Sequence, residues 1–300
     1  MKVFLFPGQG SQFSGMAKKL YDNYNDAKDY YEKAKKIVGA EVVELGFDAD
    51  EETLKLTQNS QVTIFLYSYI LFISLANLGR INVEKDDIYM GHSLGEITAL
   101  AASQTLSFED AVKFVRFRGE AMGEVKVDEP IMAALLKPDI NKISQVFEEE
   151  FKDKLFIANL NSPSQVVVSG LKPDFDNFNA KYQRTLFLKS IPLKVSAPFH
   201  SPFMRQAELK VANEIQKYKM NIEKAGFVIS NKYAKPYENS ESAIKNTISS
   251  SITSQVRWID SILYVKTKGY KNYLEIGPKS ILIPFVKEID TEAIAQSFID

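Results

Sequence analysis

The sequence predicts an α/β fold in which a larger domain on a mostly parallel sheet is interrupted by a small inserted subdomain. Two patterns predict it. Short apolar runs that end in glycine or turn residues (Val3 to Phe6, Ile88 to Met90, Phe227 to Ile229, Tyr273 to Ile276) alternate with longer helical patterns, as strands covered on both faces do. The middle of the chain has a different rhythm and reads β-α-β-β-α-β. A chain of 300 residues accommodates one large domain with such an insert more readily than two equal domains.

Val3 to Phe6 follows a single lysine and precedes Pro7 and Gly8. The run is too short for the apolar core of a signal peptide and is expected to be the first strand. Gln61 to Leu78 carries no charged residue and approaches the roughly 20 residues of a membrane span. Its Thr63, Tyr67, Ser68, Tyr69, Ser74 and Asn77, and the lack of a second such segment, favour a helix buried in a protein core. Ile88 to Met90 is the next strand, followed by Gly91-His92-Ser93-Leu94-Gly95 and a helical stretch from Leu94 to Ser103. This is a G-x-S-x-G nucleophile elbow in its strand-turn-helix setting, the arrangement of α/β-hydrolase-like domains. Ser107 opens another helix with a start that resembles a capping box.

The insert comprises a strand at Ile131 to Leu136, a helix at Asp139 to Glu150, and strands at Leu155 to Ala158 and Val166 to Ser169 around an Asn-Ser-Pro-Ser turn. A helix from Pro173 to Tyr182 and a strand from Phe187 to Leu193 complete the ferredoxin-like order. The expected boundaries are 1–126 and 196–300 for the large α/β domain and 127–195 for the insert, with a ligand cleft between them.

Composition excludes several classes. The 37 basic residues nearly cancel the 38 acidic ones, so no overall field draws the chain to nucleic acid or an anionic membrane. Without cysteine there are no disulfides, thiolate metal sites or cysteine nucleophile, which fits a reducing compartment.

The elbow places Ser93 at the tip of a strained turn, with the positive end of the following helix aimed at it. A serine hydroxyl needs a base within hydrogen-bond reach. The chain has two histidines, and strand alternation should turn His92 away, which leaves His200 as the available base. Ser196-Ala197-Pro198-Phe199-His200-Ser201-Pro202 is a proline-stiffened loop just after the insert, although a lone histidine is often only a satisfied core residue. Gly8-Gln9-Gly10-Ser11-Gln12 follows the first strand, but Phe13 occupies the third glycine position of a dinucleotide fingerprint and no lysine completes a P-loop. The loop is either an ordinary glycine turn or a source of N–H groups for an adjacent site. On the helix after Ser107, Arg118 lies about 60° from the centre of the apolar stripe and Arg116 about 100° away on the other side. Arg118 either enters the cleft, where its fork suits a substrate carboxylate, or is held in a structural contact.

With these elements in order, the chain closely resembles the malonyl-CoA:acyl carrier protein transacylases over nearly its whole length. The resemblance rests on Phe-Pro-Gly-Gln-Gly-Ser-Gln at 6–12, Thr-Gln at 57–58, Gly-His-Ser-Leu-Gly-Glu at 91–96 and Arg-Gly at 118–119. It continues through Asn-Ser-Pro-Ser-Gln-Val-Val-Val-Ser-Gly at 161–170, Ala-Pro-Phe-His-Ser-Pro at 197–202, Val-Arg-Trp at 256–258 and Glu-Ile-Gly-Pro at 275–278. It implies a ping-pong transfer of malonyl from malonyl-CoA to holo acyl carrier protein for fatty acid synthesis. Ser93 would carry the acyl group, His200 would move the proton, Arg118 would pair with the malonyl carboxylate, and Gln9 and Leu94 would supply oxyanion N–H groups. Gln58, His92, Asn161 and Phe199 would contact substrate, and Leu94 and Phe199 match the malonyl-selective pattern.

One departure concerns the group that orients His200: where relatives carry a glutamine or asparagine, Ser250 and Ser251 stand here, and a backbone carbonyl is the alternative. Gln255 replaces the usual proline before Val-Arg-Trp, and Val62-Thr63 stands where Pro-Ala is common. The resemblance implies no metal or redox cofactor, no nucleic acid or membrane partner, a monomer, and a cytoplasmic location or an organelle interior after loss of a transit peptide. The rival readings are a serine hydrolase or thioesterase with the same Ser-His pair, and a carrier-protein-binding scaffold without turnover. Lys181, Lys189 and Lys194 are candidates for a patch that meets an acidic carrier protein, or simply solvated lysines.

Overall fold

The computed structural model describes residues 1–299. Among them the strands are β1 (Lys2–Phe6), β2 (Ile88–Gly91), β3 (Pro130–Leu136), β4 (Leu155–Ser162), β5 (Gln165–Leu171), β6 (Lys189–Pro192), β7 (Asn272–Ile276) and β8 (Ile294–Phe298). They form two sheets. The first has the order β2-β1-β7-β8 and is parallel throughout, with Phe6 opposite Gly91 and Leu5 opposite Glu275. Alternation along β1 explains how it is covered. Phe4 and Phe6 lie 5.2 and 5.7 Å, ring to ring, from Phe72 of the Thr57–Asn77 helix, while Val3 and Leu5 join Trp258, Ile262 and Val265 on the other face.

One expectation for this sheet needs correction. Phe227 to Ile229 is not a full strand: it meets Tyr89 through two backbone bonds, Tyr89 N–H to Phe227 O at 2.8 Å and Ile229 N–H to Tyr89 O at 3.1 Å. The chain then folds back, pairing Ile229 with Pro236, so three apolar residues are all it can commit to the edge. The fourth strand is β8 instead, whose exposed Ile294, Gln296 and Ser297 give it no buried apolar run to recognise.

The second sheet is antiparallel, in the order β4-β5-β3-β6. Its two faces differ by alternation. Ala133 and Leu135, paired with Val168 and Val166, pack on Ile143, Phe147, Phe175 and Phe178 from the Ile140–Glu150 and Lys172–Tyr182 helices. Met132, Ala134 and Val167 face the other way, into the core shared with the first sheet. Backbone bonds join β4 to the chain beside Trp258: Leu160 N–H reaches Val256 O at 2.9 Å and Val256 N–H reaches Ala158 O at 2.8 Å. β4 therefore runs to Ser162, past the expected end at Ala158, and Asn161 is a strand residue.

Thr57–Asn77 is the one described helix long and apolar enough to cross a membrane, and 83% of its apolar window is buried within the protein. Phe65 and Tyr69 stack with Phe108 of the neighbouring Phe108–Gly123 helix at centroid distances of 6.2 and 4.9 Å. The Ser107 hydroxyl caps that helix by accepting the Asp110 N–H at 3.1 Å.

Candidate active site

A cleft of about 310 Å³ opens between the C-terminal ends of β1 and β2 and the second sheet, and Ser93 lies in it. Ser93 has φ 52° and ψ −105°, a conformation that side chains other than glycine rarely adopt, between β2 and the Leu94–Ala102 helix. The turn is this tight because the helix start presses on β1: a Cβ on Gly95 would lie 1.9 Å from Phe6 O. Asn231 secures it from outside. Its Oδ1 accepts the Ser93 N–H at 2.8 Å and its Nδ2 donates to Gly91 O at 2.7 Å, while its own N–H is held by Glu96 at 2.9 Å. Sequence reading missed Asn231, because its partners lie well over a hundred residues away in the chain.

His200, 6% exposed, places Nε2 2.9 Å from Ser93 Oγ. Its Nδ1 faces two backbone carbonyls, Ser251 O at 3.1 Å and Ser254 O at 3.0 Å. Those acceptors require the proton on Nδ1 and leave the Nε2 lone pair to take the serine proton. The expected orienting side chains are corrected here. Ser250 directs its hydroxyl to Thr247 O and accepts from Lys232, and Ser251 acts through its carbonyl while its hydroxyl bonds Ile248 O. A serine side chain is too short to reach past its own helix end, whereas the carbonyls there already lack helical partners.

Burial, reinforced by the charge of Arg118 and by His92, lowers the His200 pKa to about 4. The imidazole is therefore neutral at physiological pH and able to accept a proton. The acid limb of kcat/KM, which reports the free enzyme, should fall towards pH 4 rather than near the ordinary histidine value of about 6.5. A carboxylate bound to Arg118 would remove one cause of the depression, so the limb of kcat should lie higher than that of kcat/KM. A kcat/KM limb at pH 6 or above would contradict the buried neutral imidazole.

Arg118 is 2% exposed and enters the cleft. One terminal nitrogen donates to Gln61 Oε1 at 2.5 Å and the other to Ser93 Oγ at 3.4 Å, while Nε has no partner. Its direct partners are thus an amide and a hydroxyl, not a carboxylate. Burial lowers its pKa to about 10, opposed by the more distant charge of Glu96. A buried cation with spare donors presents a ready site for an anion. Arg116, by contrast, points outward and pairs with Glu120 at 2.7 Å, as the helical angles predict.

Beneath the elbow, Glu96 accepts the Tyr237 hydroxyl at 2.6 Å, and burial raises its pKa to about 7. Replacing Asn231 by Ala would release the Ser93 N–H and Gly91 carbonyl together. We expect a loss of about 2 kcal/mol in stability and a fall in kcat of tenfold or more, read by thermal unfolding and steady-state kinetics.

His92 also lines the cleft, contrary to the alternation argument, since the elbow has already left strand geometry at that point. Its Nε2 meets Asn161 Oδ1 at 2.9 Å, Asn161 Nδ2 donates to Gln165 at 2.9 Å, and its ring lies 5.7 Å from Trp258. Phe199, Leu94 and Gln9 line the same cleft. Gly8 lets the Gln9 loop close on the elbow, as a Cβ there would sit 2.4 Å from His92 O and 3.7 Å from Leu94 N. Gln58 does not reach the cleft: its backbone packs under Gly119 and its carbonyl accepts from Arg116 at 3.5 Å. Gln61, one turn further along the same helix, takes the inward place, and its position at three residues' spacing was the available signal. Lys181, Lys189 and Lys194 of the expected patch are all exposed, and Lys181 pairs with Glu150 at 2.7 Å.

Comparison with known proteins gives the family. The chain is 34% identical over 293 residues to the malonyl CoA-acyl carrier protein transacylase of Staphylococcus aureus strain MW2, covering 97% of this chain and 92% of that protein. A crystal structure of malonyl CoA-acyl carrier protein transacylase from Clostridium perfringens ATCC 13124 superposes with a TM-score of 0.90 at 30% identity, covering 100% of this chain and 93% of that one. A malonyl-transacylase solved in complex with a type II polyketide synthase acyl-carrier protein matches with a TM-score of 0.92 at 26% identity, over 100% of this chain and 96% of the other. The acyl transferase domain family matches residues 3–294, and the chain, an acyltransferase by that measure, belongs to this family.

Proposed function

We propose that this chain transfers the malonyl group of malonyl-CoA to the phosphopantetheine thiol of acyl carrier protein, through an ester on Ser93, and so supplies the extender unit of fatty acid synthesis. The observation that carries this reading is the meeting of three groups in one cleft: Ser93 Oγ 2.9 Å from a neutral imidazole and 3.4 Å from a buried guanidinium. In the first half-reaction Ser93 Oγ attacks the thioester carbon as His200 Nε2 takes its proton. The tetrahedral oxyanion collapses, the carbon–sulfur bond breaks, and His200 returns the proton to the leaving thiol of coenzyme A. In the second half the carrier thiol gives its proton to His200 and attacks the ester carbon; as the acyl carbon–oxygen bond breaks, His200 returns the proton to Ser93 Oγ. The N–H groups of Gln9 and Leu94 are suited to hold the oxyanion. Asn231 already occupies the Ser93 N–H, which leaves the next residue's N–H to this task. Arg118 holds the malonyl carboxylate.

The strand order β4-β5-β3-β6, antiparallel with two helices on one face, supports a ferredoxin-like subdomain at 127–195 inserted into an α/β-hydrolase-like domain at 1–126 and 196–300. The insert then supplies one wall of the cleft, through Met132, Ala134, Asn161 and Val167. A hydrolase reading is less well supported, because His200 Nδ1 meets carbonyls rather than the acid of a hydrolase triad. The test is mass spectrometry after mixing with malonyl-CoA. We expect a malonyl adduct on Ser93, absent in Ser93→Ala and discharged by holo carrier protein faster than by water. Rapid hydrolysis would favour the hydrolase, and no adduct would end the catalytic reading.

A further inference from the structure

The cleft continues past Gln9 into a second cavity of about 330 Å³ that none of the steps above uses. Gln9, Gly10, Leu193 and Val195 line both spaces, so the two adjoin across these residues. At the junction Gly10 leaves room, with nothing within 4 Å of where a Cβ would stand. The second cavity is cationic: Lys55, Lys194 and Lys279 line it against the single carboxylate of Glu51. Lys55 is engaged by Glu52 at 2.6 Å and Glu51 at 3.8 Å. Lys279 is held in place by one bond to Gln12 O at 3.3 Å and by the Phe13 ring at 5.9 Å, with N–H groups left over. Lys194 is exposed on the segment that leads from β6 to His200 and has no direct ion pair among the described residues, although its charge reaches Glu52.

We propose that this cavity receives the phosphate ester at the far end of the substrates' pantetheine arm, with Lys194 and Lys279 as its cationic contacts. The inference rests on the acyl-transfer reading, which fixes the thioester carbon at Ser93. From there the arm must leave along an open path, and its amide-linked portion is neutral. The first charge along it is the phosphate, and the adjoining space is where excess positive charge lies. Exposed Leu193 offers the apolar surface the arm would cover on the way. Two sources carry this chemistry, the nucleotide end of coenzyme A and the phosphodiester of a carrier protein.

The test compares wild type with the double variant Lys194→Gln/Lys279→Gln on malonyl-CoA, malonyl-phosphopantetheine and malonyl-pantetheine, which lacks phosphate. We expect KM for malonyl-CoA to rise about fivefold, less at high salt, with no change on the phosphate-free thioester. A matching rise with malonyl-phosphopantetheine assigns the cavity to the phosphate that both donors share. A rise confined to malonyl-CoA would place the two lysines on the nucleotide beyond that phosphate and overturn the proposal. Equal losses on all three thioesters, or none on any, would overturn the proposal. Calorimetric titration with free coenzyme A tests the cavity without turnover: a weaker Kd in the double variant supports it, and an unchanged Kd overturns it. A missing malonyl ester at Ser93 would overturn the acyl-transfer reading and leave the calorimetric result standing.

Discussion

Arg118→Ala should lower kcat/KM for malonyl transfer by about a thousandfold and leave acetyl transfer within about threefold, the loss expected when one partner of a buried charge pair is removed. The asymmetry follows from geometry. Arg118 is buried, its direct contacts are Gln61 and the Ser93 hydroxyl, and its Nε is unmatched, so no carboxylate touches it until a substrate brings one. An acetyl group brings no anion and has no charge pair to lose when the guanidinium is gone. Removing that cation also relieves part of the depression of the His200 pKa, which should move the acid limb of acetyl transfer upward. Arg118→Lys keeps the charge and loses the planar fork, and should fall between the two. Competition between malonyl-CoA and acetyl-CoA, read as the ratio of the two acyl-Ser93 masses, gives the result in one experiment. Equal losses for both acyl groups would remove Arg118 from the carboxylate role.

His200→Ala should slow acylation of Ser93 by about 10⁴-fold, the upper end of what a positioned general base contributes. The effect should fall on malonyl and acetyl groups alike, because the base acts on the serine proton and does not touch the acyl tail. It should also appear in both half-reactions, since the same Nε2 receives the proton of Ser93 and then that of the incoming thiol. Single-turnover acylation and discharge of isolated acyl-enzyme separate the halves. Thermal unfolding of the variant should show a loss of about 2 kcal/mol, because the Nδ1 bonds to the Ser251 and Ser254 carbonyls and the Nε2 contact with Ser93 are lost together, so the rates are compared below its unfolding transition. Loss of acylation with discharge unaffected would limit His200 to the first half.

Much of the fold was legible because alternation and turn chemistry are local. β1 reads as a strand from Val3 to Phe6 since both of its faces are buried, and the Asp139 and Ser107 caps mark helix starts by their own side chains. The edge of the parallel sheet was not legible in this way. β8 is held by pairing with β7 and not by burial, while Phe227 to Ile229 has the apolar run and lacks the length of chain to pair. In the site, Ser93, His200 and Arg118 could be named because each belongs to a scarce type or a shaped motif. Which of Gln58 and Gln61 lines the cleft is a matter of helical phase, and packing of Gln58 under Gly119 sets that phase.

The sequence by itself determined the chemistry available: a serine in an elbow, a single histidine free to serve it, and an arginine on the inward shoulder of a helix. Tertiary structure alone decided how those groups are held. The carbonyls of Ser251 and Ser254 orient the imidazole, and Asn231 secures the elbow from more than a hundred residues away. Backbone carbonyls are present at every position and carry no signature in the chain. Whether one faces the His200 imidazole depends on where a helix ends in space, and that is fixed only when the separate parts of the chain pack together.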